Sequence, residues 1–300
     1  MQYPTPSFRR NALTVGLFAF ALLSLAFNPS HAATRRDVRG NLSPVKTLDA
    51  EDSKGFLDSF RNQRMSSEYC FKFELLELPR RKDPIPYYGI MWGTWNNVGP
   101  LTRIALWAKD AKSEADHLHI LVQGGLEPRV WVKVRGTNEV ERLKMEELLA
   151  PLVGSLIYTS FDIQMPFIHW EGKYHTSKRV KGRPAHIYRM TPPDSFQRAY
   201  PAISGVTMTV DGGFQALLRA DVTGPEGKIL KTMSVLSFKK VKDDWIVKSI
   251  ELKDQTTGDK SRFTVLAAAL HLDLPAEIFY PESLKNPIAP PPADAFIALR

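Results

Sequence analysis

The 300-residue chain carries 40 Lys and Arg against 32 Asp and Glu, a formal charge of +8, and 43% of its residues are apolar. Its one cysteine, Cys70, excludes an intramolecular disulfide, so stability has to come from burial rather than covalent staples. The cations are scattered and no nucleic-acid-binding motif is recognisable, which argues against nucleic acid as a partner.

In chain order, Arg9 and Arg10 precede an apolar run from Ala12 to Phe27, and Ser30 and Ala32 supply small residues at the cleavage-recognition positions. This pattern predicts a cleaved secretory signal peptide over 1–32 and export to the periplasm. A membrane anchor needs about 20 apolar residues, more than this run offers. No cysteine lies near the cleavage site to carry a lipid, and the Arg pair leaves the general secretory and twin-arginine routes both open. A polar lead over 33–45, one domain over 46–285 and a loose Pro-rich tail over 286–300 complete the expected organisation.

Asp49, followed three residues later by Asp52, marks a helix start, with Phe56, Leu57 and Phe60 on one face and an end near Arg64. Alternation then takes over: Tyr69, Phe71, Phe73, Leu75; Tyr88, Ile90, Trp92; Ile104, Leu106, Ala108; Leu118, Ile120, Val122; Val130, Val132, Val134. Five such runs in succession predict a meander. The pattern breaks between Asn138 and Trp170, where Pro151 interrupts a leucine-rich stretch and Thr159-Ser160-Phe161-Asp162 offers a second helix cap. One or two short helices and an apolar loop are expected there.

Strands resume at Tyr174. Turns at Lys181-Gly182-Arg183-Pro184, Asp211-Gly212-Gly213, Pro225-Glu226-Gly227, Lys242-Asp243-Asp244 and Thr257-Gly258-Asp259 predict long antiparallel hairpins. In one of them Phe214, Ala216, Leu218, Ala220 and Val222 form the dry face. Adjacent apolar pairs at Val235-Leu236 and Trp245-Ile246-Val247 point to a bulge or to burial on both faces.

Candidate chemistry is sparse. His117 and His119 leave one strand face together, as two metal ligands must, but no third ligand is identifiable, and a solvent-facing pair is the commoner outcome. Val153-Gly154-Ser155-Leu156 lacks the second glycine of a nucleophile elbow. No metal, cofactor or catalytic group is therefore expected. The basic turn Lys178, Arg179, Lys181 and Arg183, like Lys239, Lys240 and Lys242, suits protection of strand edges from aggregation. The alternative for the first cluster is docking to an envelope protein or an anionic membrane surface.

The run 227–284, with Gly227-Lys228 entering a strand, Phe238-Lys239-Lys240-Val241 before Trp245, Lys253-Asp254 before a Thr/Gly/Asp turn, and Asp273-Leu274-Pro275 leading to Phe279, resembles the C-terminal half of outer-membrane lipoprotein-sorting proteins, the periplasmic carriers related to LolA. Residues 166–193 are similar to the segment in which that family returns from helix to strand. The resemblance implies a mainly β fold with short helices: a curved antiparallel sheet or incompletely closed β-barrel whose concave face is covered by a helical lid. It also implies a non-enzymatic carrier holding lipid acyl chains, or a lipoprotein, in an apolar trough. The expected walls are Phe71, Phe73, Trp92, Leu106, Ile120, Val132, Met208, Leu218 and Met233, under a lid of Leu149, Leu152, Phe161 and Phe167. The alternative is an envelope structural or assembly protein whose barrel is filled by its own side chains and whose basic turns meet a partner.

Overall fold

A computed structural model of the chain describes residues 45–300, apart from 66, 114–115 and 126. The expected signal peptide and nearly all of the polar lead lie outside the described residues.

Helix α1 (Ala50–Arg61) starts where expected, with the Asp49 carboxylate accepting from the Asp52 N–H, and ends at Arg61, a few residues short of the predicted boundary. Its Leu57 and Phe60 are buried. Strands β1 (Glu68–Leu78), β2 (Ile85–Trp95), β3 (Pro100–Ala108), β4 (Leu118–Gln123), β5 (Arg129–Lys133) and β6 (Val140–Arg142) follow as one meander. After a connection holding the short helix α2 (Ser160–Gln164), strands β7 (Glu171–Val180) and β8 (Arg183–Thr191) form a hairpin. Helix α3 (Asp194–Ala199) leads into β9 (Gly205–Asp211), β10 (Leu217–Thr223), β11 (Ile229–Val241), β12 (Asp244–Asp254) and β13 (Lys260–Leu272). A two-residue strand, β14 (Ile297–Ala298), pairs with β13.

All strands belong to one antiparallel sheet in the order β6-β5-β4-β3-β2-β1-β13-β12-β11-β10-β9-β8-β7, with β14 beside β13. Two meanders thus run outward from a central β1/β13 pair, and the sheet stays open because β6 and β7, its two ends, do not pair with each other. Those ends are consecutive in sequence. The connection between them, residues 143–170, therefore crosses the mouth of the curved sheet, and this topology turns an irregular stretch into a lid.

Strand alternation splits the apolar residues between two cores. Phe71, Phe73, Met91, Ile104, Leu106, Ile120 and Val265 belong to the large concave core, together with the lid and α1. Their neighbours Cys70, Trp92, Leu101, Ala105, Leu121 and Ala269 belong to a second core on the convex side. That second core is closed by Phe279 and Leu284 of the C-terminal segment. Residues 286–300, expected as a loose tail, are docked: β14 adds to β13, Lys72 lies 4.3 Å over the Phe296 ring, and Leu299 is buried. The prolines deny the segment a helix without denying it a surface to pack on.

Candidate functional site: an apolar trough under a lid

On the concave side, Phe73, Leu75, Met91, Ile104, Leu106, Ile120, Ile250 and Phe263 converge beneath Leu152, Tyr158, Asp162 and Ile163 of the lid and line a cavity of about 50 Å³. Two sequence features shape it. Gly89 and Gly93 leave room on β2 for the rings of Phe73 and Tyr69: a Cβ at Gly89 would meet the Phe73 ring at 2.2 Å. Phe73 in turn lies 4.9 Å from Phe263 on β13, so aromatic rings pave the floor where β1 meets its neighbours. A ligand pocket for a drug-sized molecule commonly spans about 300–1,000 Å³. The lid in this structure is therefore shut down onto the sheet.

The lid is held by polar contacts at several points. The Thr159 hydroxyl donates to the Asp162 carboxylate at 2.7 Å, capping α2, and Lys231 of β11 reaches the same oxygen at 2.5 Å. Asp162 is almost fully buried and Lys231 largely so, which makes this an ion pair sealed between lid and wall. Ser155 donates to Glu77 of β1 at 2.5 Å, and the Gln164 amide donates to the Gln123 carbonyl at 3.1 Å. Arg61 of α1 holds the far end, donating to the Ile168 and Trp170 carbonyls at 2.8 and 2.6 Å. Between these points Phe161 packs among Phe167, Trp170 and Phe196, with ring centroids 5.3–6.0 Å away.

Burial and the Arg61 charge push the His169 imidazole down to about 4, and its Nε2 is buried without a partner. Burial, with Asp162 adding to it, raises the Tyr158 hydroxyl well above its ordinary value, so it stays neutral. The cavity offers van der Waals surface, and the one carboxylate on its lining is already engaged.

The expected wall residues separate into three groups. Phe73, Leu106 and Ile120 line the cavity, with Leu152 above them. Phe71, Met208 and Met233, and half-buried Val132, belong to the same core but do not line the cavity, and Phe161, Phe167 and Leu149 pack within the lid. Trp92 and Leu218 lie elsewhere. Trp92 points into the convex core, because β2 is apolar on both faces and Met91, paired with Phe71, takes the inward position. At Leu218 the β9–β10 register shifts: Leu217 pairs with Val210 and is fully buried, and Leu218 becomes the extra residue of a bulge. Leu218 and exposed Phe214 border a separate hollow of about 70 Å³ beside Phe238 and Trp245. The expected walls left out Leu75, Met91, Ile104, Ile250 and Phe263, which also line the cavity; of these, Met91 and Ile250 sit on strands without clean alternation. Asp162 was legible as a cap, but its contact with Lys231 spans 69 residues and leaves no local signal.

Other candidate groups are accounted for by their surroundings. His117 stacks on Trp107 at 4.7 Å on the convex side, with the His119 ring 6.0 Å away. Among the described residues no group of three or more His, Cys, Asp or Glu is placed to hold a metal ion. Burial pushes the Cys70 thiol up to about 12, which leaves it unreactive. Lys178 and Arg179 are exposed, whereas Arg183 bonds to Asp211 at 2.5 Å and lies over Phe214 at 4.4 Å. Among the described residues, no helix is long and apolar enough to cross a membrane.

The model of a family of uncharacterized proteins matches residues 120–286. No curated protein matches the sequence. Among solved structures, a domain described as an outer membrane lipoprotein-sorting protein from Vibrio parahaemolyticus superposes with a TM-score of 0.63 at 12% identity, over 79% of this chain and 97% of that one. A DUF1329 family protein from Desulfovibrio piger gives 0.61 at 14%, over 77% and 98%. A LolA superfamily protein from Nitrosomonas europaea gives 0.56 at 16%, over 76% and 96%. At these identities the likeness is one of overall fold. With more than half of its length matched by the family model, the chain belongs to that family of uncharacterized proteins, and its architecture is LolA-like.

Proposed function

We propose that this is an exported, periplasmic, non-enzymatic carrier that holds acyl chains of a lipid or lipoprotein between the concave sheet and the lid. The observation that carries this reading is the composition of the interface under the lid: continuous aliphatic and aromatic side chains on the wall, and a roof fastened by a few polar contacts. Each methylene moved from water onto such a wall gains about 0.8 kcal/mol. A chain of ordinary length therefore supplies enough free energy to displace the lid without any specific polar contact. Opening would break the Lys231–Asp162 and Ser155–Glu77 contacts and swing Leu152, Tyr158 and Ile163 off the floor. The outer-membrane lipoprotein-sorting description of the Vibrio domain agrees with this reading.

The small volume of the cavity also favours a second reading, an envelope assembly protein whose barrel is permanently filled by its own side chains. One experiment separates them. Protein purified from a periplasmic extract is examined by native mass spectrometry for co-purifying lipid and then titrated with a fluorescent acyl-chain probe, alongside K231M. The carrier reading expects bound lipid or probe uptake, faster in the variant with the loosened lid. Empty protein that takes up no probe, in wild type and variant alike, leaves the self-filled reading.

A further inference from the structure

Among the described residues, the C-terminal segment packs on the convex face over β1–β6 and β13. Over β7–β10 the same face has a buried base of Ile187, Thr209 and Asp221 with exposed Lys178 and Arg189 beside it, and the strand register composes it residue by residue. Thr176 pairs with Ile187, Ile187 with Thr209, and Thr209 with Arg219. In the adjacent row Lys173 pairs with Arg189, Arg189 with Thr207, and Thr207 with Asp221. Lys178 stands beside Ala185 at the hairpin end. Between these rows lies a groove of about 500 Å³, inside the range of about 300–1,000 Å³ in which ligands are bound.

Its charge is one-sided. Lys178, Arg189 and Arg219 face a single lining carboxylate, Asp221. That carboxylate is already satisfied by Arg219 Nε at 2.7 Å and by the Thr232 hydroxyl at 2.7 Å. Lys178 and Arg189 are left exposed, with Arg189 touching the His175 ring at 3.2 Å. A guanidinium fork, an ammonium and threonine hydroxyls form a donor set suited to the oxygens of a phosphate. The groove is on the convex side, which meets a plane before the rest of a curved sheet does, and exposed Arg179 and Lys181 continue its charge around the β7–β8 turn.

We propose that this groove is a docking site for the phosphodiester headgroups of an anionic phospholipid surface. The site is on the opposite face of the sheet from the trough and does not depend on acyl chains entering it. The test is flotation of the purified protein with vesicles of phosphatidylcholine alone or of phosphatidylcholine mixed with phosphatidylglycerol. Co-flotation is expected only with the mixed vesicles, weakening with added salt. K178A/R189A should weaken it about 30-fold, at roughly fivefold per cation, whereas K239A/K240A, which removes as many charges from the end of β11, should leave it within about twofold. T209V, which alters no charge, should weaken binding a few-fold if headgroups enter the groove. Equal losses in both double variants with none in T209V would mean diffuse adsorption and overturn the site. Absence of flotation with either vesicle overturns it as well, and protection of the groove by inorganic phosphate in that case would reassign it to a soluble anion. Wild-type urea midpoints for all three variants are the control for folding.

Discussion

The two halves of the convex face share one sheet and one twist, yet they are finished in different ways. Over β1–β6 an apolar cluster on the outward side is covered by the C-terminal segment: Phe279 and Leu284 pack in one core with Cys70, Trp92, Leu121 and Ala269. Arg103 pins the cover in place, almost fully buried, donating to the Ile278 carbonyl at 3.1 Å, the Ser283 hydroxyl at 2.6 Å and the Asn286 carbonyl at 2.6 Å. Burial pulls its guanidinium down to about 10, so it remains charged at neutral pH. Over β7–β10 the outward side is mostly threonine, lysine and arginine around Ile187 and Asp221, and its cations Lys178 and Arg189 stand exposed. One half of the face is a core; the other is a surface. Substitutions in the first should therefore register in stability, and substitutions in the second in binding.

The largest effect should follow removal of the cover. Deleting residues 275–300 uncovers Trp92, Leu101 and Leu121 and discards Phe279 and Leu284. At about 1.5–3 kcal/mol per large apolar side chain, this loss is comparable with the whole stability of a domain, about 5–15 kcal/mol. The truncated protein is expected to be aggregated or to unfold in urea without a cooperative transition. R103A should cost more than about 3 kcal/mol, because three acceptors lose a charged donor in a buried site. R103K, which keeps the charge but not the fork, should fall between. A truncated chain with a wild-type midpoint would erase the distinction between the halves.

Next in size is the lid, which joins the two meanders on the concave side. K231M leaves the Asp162 carboxylate buried beside Thr159 alone and should cost about 3 kcal/mol. The double variant K231M/D162N should recover part of that loss, since the stranded charge is gone. His169 adds a pH dependence. Its imidazole sits near 4 in the folded chain against an ordinary 6.5, so the folded state favours the neutral form. The stability it contributes is complete above pH 6.5 and is lost as the pH falls from 6.5 towards 4, because the unfolded chain takes up the proton first. The shift corresponds to about 3 kcal/mol at the acid end. Urea midpoints collected across that window should fall for wild type and stay flatter for H169Q.

Much of this organisation was legible in the sequence. The meanders, the hairpin turns, the Asp49 and Thr159 caps and the apolar interruption between β6 and β7 follow from local patterning. Strand alternation located Phe73, Leu106 and Ile120, which line the cavity together. It failed where both faces of a strand are dry, as in β2, because a period of two carries no information once Met91 and Trp92 are equally apolar. It failed again at Leu218, where a bulge resets the parity within an otherwise regular run. The docking of the tail was invisible for a different reason: its contacts run from Asn286 to Arg103, 183 residues away in sequence, and from Phe296 to Lys72, and a proline-rich composition describes only what such a segment cannot form.

The smallest expected effect on stability bears on the charged half. Lys178 and Arg189 are exposed, neither forms an ion pair within 4.0 Å among the described residues, and their removal opens no cavity. K178A and R189A should each shift the unfolding free energy by less than about 0.5 kcal/mol. The sign is informative as well. Lys173, Lys178, Arg189 and Arg219 repel one another across neighbouring strands, and like charges facing each other destabilise a sheet. Loss of one should leave stability unchanged or raise it slightly, measured by urea titration at low ionic strength, where screening is weakest. A gain that disappears on adding salt would mark these cations as a cost to the fold, retained for what they contact outside it. A loss above 1 kcal/mol would instead make this half of the face structural, like the covered half.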